Sequence, residues 1–161
     1  MFKKLFGKEE KIDHEVLVSP MTGEVVDVTE VPDPTFSEKM MGDGIAFKPT
    51  DGEVVAPIGG EIVNLFPTKH AIGIKSKAGV EYLIHIGLDT VMLDGEGFTA
   101  HVSQGDKVNV GDKLITVDLD FVSGKAKTIT PLVITSDVGS IEKDINKSVV
   151  KGETEILTVH L

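Results

Sequence analysis

The sequence predicts an all-β domain, an antiparallel sandwich or barrel with Greek-key-like connections and only short helical turns. Three observations carry that expectation. Short apolar, β-branched segments recur with Gly, Pro and Asp between them, the pattern of strands joined by tight turns. One such segment occurs twice. Val18-Ser19-Pro20-Met21-Thr22-Gly23-Glu24-Val25-Val26 matches Val55-Ala56-Pro57-Ile58-Gly59-Gly60-Glu61-Ile62-Val63 at five of nine positions, each a proline-led entry, a glycine turn and a short strand. With one tyrosine, seven phenylalanines and no tryptophan, the core falls to Val, Ile and Leu, which suit strands.

The elements follow in order. Residues 1–15 read as a flexible tail in which Phe2, Leu5 and Phe6 stand among lysines at helical spacing. Its balance through Lys11 is four lysines against two glutamates, so weak membrane-surface contact through residues 1–8 is conceivable. A mobile terminus is the preferred reading. Residues 16–161 read as one domain. Between the two repeats, Pro34 to Met41 is expected to form a turn or two of helix. After the second repeat comes a hairpin around Lys77-Ala78-Gly79, then a turn and strand over Val108 to Asp118. A further helical turn is expected over Phe121 to Lys127 or Ile141 to Lys143.

The hairpin carries the chemistry. His70 and His85 stand fifteen residues apart, one at each end. A two-residue Lys77-Ala78 loop would pair His70 with His85, Ile72 with Leu83 and Ile74 with Glu81, on one face. An odd-numbered loop would send the rings to opposite faces unless a bulge restored the register. Alternation in Tyr82-Leu83-Ile84-His85-Ile86 points Tyr82, Ile84 and Ile86 to the core, with Leu83 and His85 on the other face. An imidazole among such neighbours is partly desolvated, which favours its neutral, nucleophilic form. The carbonyl of Gly87 is placed to hold the Nδ1 proton of His85, leaving Nε2 as a free lone pair. Thr68, two residues before His70, can orient the second ring through its hydroxyl. Together these residues fit a phosphoryl-transfer site.

Composition narrows the alternatives. The net charge is −10 and all 16 basic residues are lysine. A nucleic-acid surface is unfavourable without a basic patch. With no arginine in the chain, the positive partner of a moving phosphoryl group must be histidine, lysine, backbone N–H or another protein. There is no cysteine, which excludes disulfides and thiolate chemistry and is compatible with a reducing cytoplasm. No run approaches the roughly 18 apolar residues of a spanning helix, and the N-terminus has no signal-peptide pattern.

The run from Gly79 through Val91, GVEYLIHIGLDTV, resembles the signature of the glucose-type enzyme IIA component of the bacterial phosphoenolpyruvate-dependent sugar phosphotransferase system. Val31-Pro32-Asp33, Met41-Gly42-Asp43-Gly44, Ala56-Pro57, Thr68-Lys69-His70-Ala71 and Gly95-Glu96-Gly97-Phe98 follow the family's order and spacing. The resemblance implies a cytoplasmic protein phosphorylated on His85 Nε2, with His70 steadying the phosphoryl group and Thr68 holding His70. Its implied partners are the small phosphohistidine carrier HPr as donor and a cysteine on a sugar-transporter IIB domain as acceptor, with no cofactor and no required metal. Some relatives also regulate transporters or enzymes in the dephosphorylated form. Asp33 and Asp89 are the implied contacts for the donor's basic groups; read alone, they are solvated turn acids. Phe36, Met40, Met41, Phe66, Leu83 and Val91 are the implied apolar apron for partners; Phe36, Met40 and Met41 read alone are ordinary core. Pro34, Thr35 and the Met40-Met41 pair depart from some relatives within that apron.

Two rivals come from other classes. His70, His85 and His101, with Asp89 or Asp94, could form an open zinc site of a hydrolase, or the histidine pair alone could pick up zinc adventitiously. Against the hydrolase, the chain has no His-x-His or histidine-acid hydrolase motif, and His101 precedes a turn at Gln104-Gly105-Asp106. Alternatively, the glycine-turn strands resemble biotinyl and lipoyl carrier domains, but the chain lacks their lysine-centred tripeptide.

Overall fold

The computed structural model describes residues 12–161. Residues 1–11 of the stretch read as a flexible tail, with the surface contact conceived for residues 1–8, lie outside the described residues. Strand β1 (His14–Val18) starts inside the stretch assigned to the tail, because its backbone pairs with the far end of the chain, His14 opposite His160.

The expected architecture is present: the described residues form fourteen strands with antiparallel pairing and two short α-helices. In chain order the elements after β1 are β2 (Gly23–Asp27), α1 (Pro34–Ser37), β3 (Gly44–Pro49), β4 (Glu53–Val55) and β5 (Gly60–Leu65). Then come β6 (Ala71–Ser76), β7 (Glu81–His85), β8 (Phe98–Ala100), β9 (Lys107–Val108) and β10 (Lys113–Val117). The last are α2 (Leu119–Ser123), β11 (Thr130–Ile134), β12 (Ser140–Lys143), β13 (Lys147–Val149) and β14 (Glu155–His160). An eight-stranded sheet runs β13-β2-β3-β11-β7-β6-β5-β9, and two three-stranded sheets run β1-β14-β12 and β4-β10-β8.

The sequence repeat is a structural one. β2 and β5 each begin at the repeated glycine, where a Cβ would sit 2.1 Å from the carbonyl oxygen of Lys48 or of Lys75. The two proline entries bond reciprocally: Val18 N donates to Pro57 O at 3.0 Å and Val55 N to Pro20 O at 2.9 Å. Around them the pairings match: Ser19 N to Thr154 O beside Ala56 N to Asp112 O, and Gly152 N to Ser19 O beside Gly111 N to Ala56 O, all 2.8 Å. The trio β1-β14-β12 thus answers β4-β10-β8, and β13-β2-β3 answers β9-β5-β6. The approximate two-fold passes between Ile84 and Leu132, directly opposed on the central strands β7 and β11.

The large sheet is apolar on both faces. One face sends Phe47, Ile62, Ile72, Ile74, Tyr82, Ile84 and Leu132 into the main core. The other carries a smaller cluster, Ala46, Ala71, Leu83 and Val133, covered by Val28 and Val31 at the turn after β2 and by Phe36 of α1. That second cluster is the floor of the site.

Three local expectations need correction. Ile141 to Lys143 is strand, not helix, because residues 140–143 pair with 157–160 in β14. The helical turn expected over Phe121 to Lys127 sits earlier, at Leu119–Ser123, where the Asp118 side chain caps Phe121 N at 3.1 Å. The helix expected from Pro34 to Met41 stops at Ser37, its start fixed by Asp33 accepting from Thr35 N and by a proline at the first turn.

Candidate functional site

The β6–β7 register differs by one residue from the expected one. Ala71 opposes His85, Ile72 opposes Ile84, Gly73 opposes Leu83, and Ile74 opposes Tyr82. The turn spans Lys77 to Gly79, with Ser76 N bonded to Val80 O at 2.9 Å and Gly79 N to Ser76 O at 2.9 Å, and Gly79 taking φ 92°. A three-residue loop keeps the direction of β7 side chains, so Leu83 and His85 still leave the core as expected. His70, however, is not paired with His85; its carbonyl accepts Ile86 N at 2.7 Å.

The rings nevertheless meet. No bulge interrupts the β6–β7 register; instead the regular pleat ends at Ala71. Residues 66–69 turn, with Lys69 N bonded to Phe66 O at 2.8 Å and Lys69 in the left-handed region at φ 60°. That reversal brings the His70 ring to the side of His85, with centroids 5.0 Å apart and planes at 80°. The small Ala71 side chain opposite His85 leaves room for both.

Each ring is held through Nδ1. His85 Nδ1–H donates to the Gly87 carbonyl at 2.8 Å, which fixes the tautomer with a bare Nε2. Thr68 Oγ1 lies 2.6 Å from His70 Nδ1; a hydroxyl donating there leaves the His70 proton on Nε2. Among the described residues neither Nε2 has a hydrogen-bond partner. Gly87 itself has φ 76°, and a Cβ there would lie 2.6 Å from Thr90 Cγ2 and 2.7 Å from Lys127 O. Thr90 Oγ1–H donates to Ile86 O at 2.5 Å and Leu88 N to Lys127 O at 3.0 Å, so the carbonyl that orients His85 is braced from two sides.

The apolar walls are close. Phe36 packs on His85 with centroids 5.1 Å apart, and Phe66 meets His70 edge-on at 5.4 Å. Burial therefore lowers the pKa of both histidines from the ordinary value, His85 charge adding to the effect on His70. For His85 the Gly87 carbonyl and the carboxylates of Asp33 and Asp89 pull the other way without overcoming it. Both rings are neutral at pH 7, one a lone-pair donor and the other an N–H donor.

The apron residues divide by depth. Phe36 and Leu83 are buried and form floor, whereas Met40 (71%), Val91 (52%) and Met41 (39%) are the exposed members. Asp33 caps α1, and Asp89, left-handed at φ 59°, precedes the 3₁₀ turn Thr90–Leu93. The set His70, His85, His101 is not gathered: His101 Nε2 bonds Thr116 Oγ1 at 2.6 Å, and no cluster of three His, Asp or Glu is present among the described residues. His70 and His85 are the two nitrogens available to a metal at this site. Sequence reasoning missed Ala71, Lys69, Thr90 and the Lys127 carbonyl. A threonine four residues after Ile86 was the one readable signal among them.

The same fold occurs in a known protein. The family model for the phosphoenolpyruvate-dependent sugar phosphotransferase system, EIIA 1, matches residues 15–139. The chain belongs to that family. It is 56% identical to a protein of Bacillus cereus named PTS system glucose-specific EIIA component, over 99% of this chain and 98% of that one. A Staphylococcus aureus protein of the same name is 51% identical over the same shares. The solved glucose permease IIA from Mycoplasma capricolum superposes with a TM-score of 0.84 at 42% identity, covering 91% of this chain and 96% of that one. Membership in the EIIA family makes the chain a transferase component of a sugar phosphotransferase system, one of its phosphocarriers. No helix among the described residues is long and apolar enough to cross a membrane.

Proposed function

We propose that this EIIA protein accepts a phosphoryl group on His85 Nε2 from the phosphohistidine of HPr in the cytoplasm and delivers it to the cysteine of a sugar-transporter IIB domain. The supporting observation is the histidine pair with both Nδ1 atoms engaged and both Nε2 atoms free, on an apolar floor. The bare lone pair of His85 attacks phosphorus in line as the donor's P–N bond breaks. Its Nδ1–H shares the developing charge with the Gly87 carbonyl. The His70 Nε2–H donates to a phosphoryl oxygen, so the protein acts by positioning and by stabilising spread charge. In the second step the cysteine thiolate attacks and His85 leaves as the neutral ring. Phe36, Phe66 and Leu83 exclude water that would hydrolyse the P–N bond. The acidic chain and the carboxylates of Asp33 and Asp89 suit a basic donor face.

The test is incubation with phosphoenolpyruvate, enzyme I and HPr, followed by mass spectrometry at neutral and acidic pH. An acid-labile gain of one phosphate on the peptide containing His85, absent from His85→Ala, is expected. Full labelling of His85→Ala would remove His85 from the scheme.

A further inference from the structure

A second pair of histidines stands on the sheet β1-β14-β12, on strands that carry none of the transfer site. His14 of β1 is directly opposite His160 of β14, with ring centroids 5.9 Å apart and planes at 31°. Leu161 N donates to Asp13 O at 3.0 Å, so Asp13 and Leu161 form a hydrogen-bonded pair and the histidines occupy the next, non-hydrogen-bonded position. Side chains at such positions lie closer together than at hydrogen-bonded ones. The following pair turns inward, Val159 into the core and Glu15 to the Tyr82 hydroxyl. Alternation therefore turns both histidines outward, where their side chains are 54% and 39% exposed.

Each of these rings is pinned through one nitrogen by a carboxylate. His14 Nδ1–H donates to Asp13 Oδ1 at 2.7 Å, and His160 Nε2–H donates to Glu142 Oε2 on the neighbouring strand β12. His14 Nε2 and His160 Nδ1 are left as lone pairs with no hydrogen-bond partner among the described residues. A carboxylate on the far nitrogen is the arrangement that orients a metal-binding imidazole and raises its basicity. His70 and His85 differ in this respect: a hydroxyl and a carbonyl, both neutral, pin them against an apolar floor. At the β1–β14 seam the pinning groups are two anions open to water. They offset the charge of a bound dication, which keeps part of its hydration. The net charge of −10 also raises the concentration of cations near the surface.

We propose that His14 and His160 together bind a divalent late transition-metal ion, copper(II) most tightly, nickel(II) and zinc(II) less so. A metal about 2.1 Å from one nitrogen of each ring puts the ring centres about 4.5–5.3 Å apart at square-planar or tetrahedral angles. They stand 5.9 Å apart, so binding draws them together by about 1 Å, a change that side-chain rotation on an exposed face supplies. No third His, Asp or Glu joins them as a ligand among the described residues, so water completes the coordination. Two nitrogen donors select against magnesium and calcium, which take oxygen ligands. β1 lies at the edge of its sheet with β14 as its neighbour, so the bridging ion clamps an edge strand and stabilises the folded chain.

The test titrates zinc into the full chain by calorimetry, in a His70→Gln/His85→Ala background that removes the competing pair of rings. One equivalent should bind. His14→Gln or His160→Gln in that background should weaken zinc binding at least tenfold, and Asp13→Asn or Glu142→Gln about tenfold through loss of the orienting carboxylate. Zinc should raise Tm of the background protein and leave that of its His14→Gln derivative unmoved. In wild type, substoichiometric copper(II) should broaden the imidazole signals of both His14 and His160. Zinc affinity unchanged by His14→Gln or by His160→Gln would overturn the inference, as would magnesium binding as tightly as zinc. Should the substituted chains not fold, the wild-type spectra decide the matter; copper(II) broadening that spares His14 and His160 refutes the site.

Discussion

Gly87→Ala isolates what the orienting carbonyl does for His85. Alanine at φ 76° costs about 1–2 kcal/mol in backbone strain. Its Cβ would also lie 2.6 Å from Thr90 Cγ2 and 2.7 Å from the Lys127 carbonyl oxygen, and that oxygen is held by Leu88 N. Backbone on that side cannot yield cheaply, so overpacking adds about 1–3 kcal/mol. A loss of about 2–5 kcal/mol lowers Tm by roughly 4–20 °C in a domain of this size. The loop relieves the clash by moving away from Lys127, which draws the Gly87 carbonyl off the 2.8 Å bond to His85 Nδ1. A hydrogen bond worth about 1 kcal/mol then no longer selects the tautomer, and the transfer rate should fall about five- to tenfold. Stopped-flow labelling from phosphorylated HPr reads the rate, and long-range ¹H–¹⁵N spectra read whether the His85 proton is still on Nδ1. Thr90→Ser in the Gly87→Ala background removes one of the two clashes and should recover part of both losses. If Gly87→Ala keeps the wild-type rate with the proton on Nδ1, the argument that this carbonyl prepares the nucleophile is wrong.

Other outcomes follow from the same geometry. His70→Gln should still accept phosphate on His85 but deliver it poorly; undiminished transfer to a IIB cysteine would contradict the stabilising role of His70. In NMR titrations His70 and His85 should both reach half-protonation below 6.5, since burial lowers both. The unfolded chain then binds more protons at these positions, so their contribution to stability is complete above about pH 6.5 and lost as pH falls toward their folded values. Midpoints above 6.5 would refute the desolvated site. Lys143 Nζ sits 2.7 Å from both Asp27 and Asp43, tying β12 to the sheet that supports the site. Lys143→Met should cost about 2–3 kcal/mol in urea denaturation at pH 7. Asp27 is held down to about 2 by its bonds from Lys143 and Thr29, against the opposing pull of its own burial. Its stabilisation is therefore present above about pH 3.9 and fades as pH falls toward 2, and the variant should show a shallower acid loss.

The side-chain directions in β7 were legible because alternation is a local property: Leu83 and His85 leave the core whatever the neighbouring strand does. The reach of Gly87 O to Nδ1 and of Thr68 to His70 was legible for the same reason, each spanning two residues. The sequence repeat likewise showed two strands, each opening at a glycine forced by a carbonyl 2.1 Å from a virtual Cβ. Register was decided elsewhere. β7 is fixed by β11 on one side and β6 on the other, and those pairings together close the hairpin at three residues rather than two. With that register the histidines could share a face only if the chain left the pleat between them. It does so at Lys69, a left-handed lysine that no propensity marks. The strand at residues 140–143 and the separation of His101 from the pair are long-range in the same sense: the first pairs with residues 157–160, the second bonds Thr116. Local periodicity determined which way the His85 ring points from its own strand; pairing across the eight-stranded sheet set the register, and the left-handed turn at Lys69 brought the two rings together.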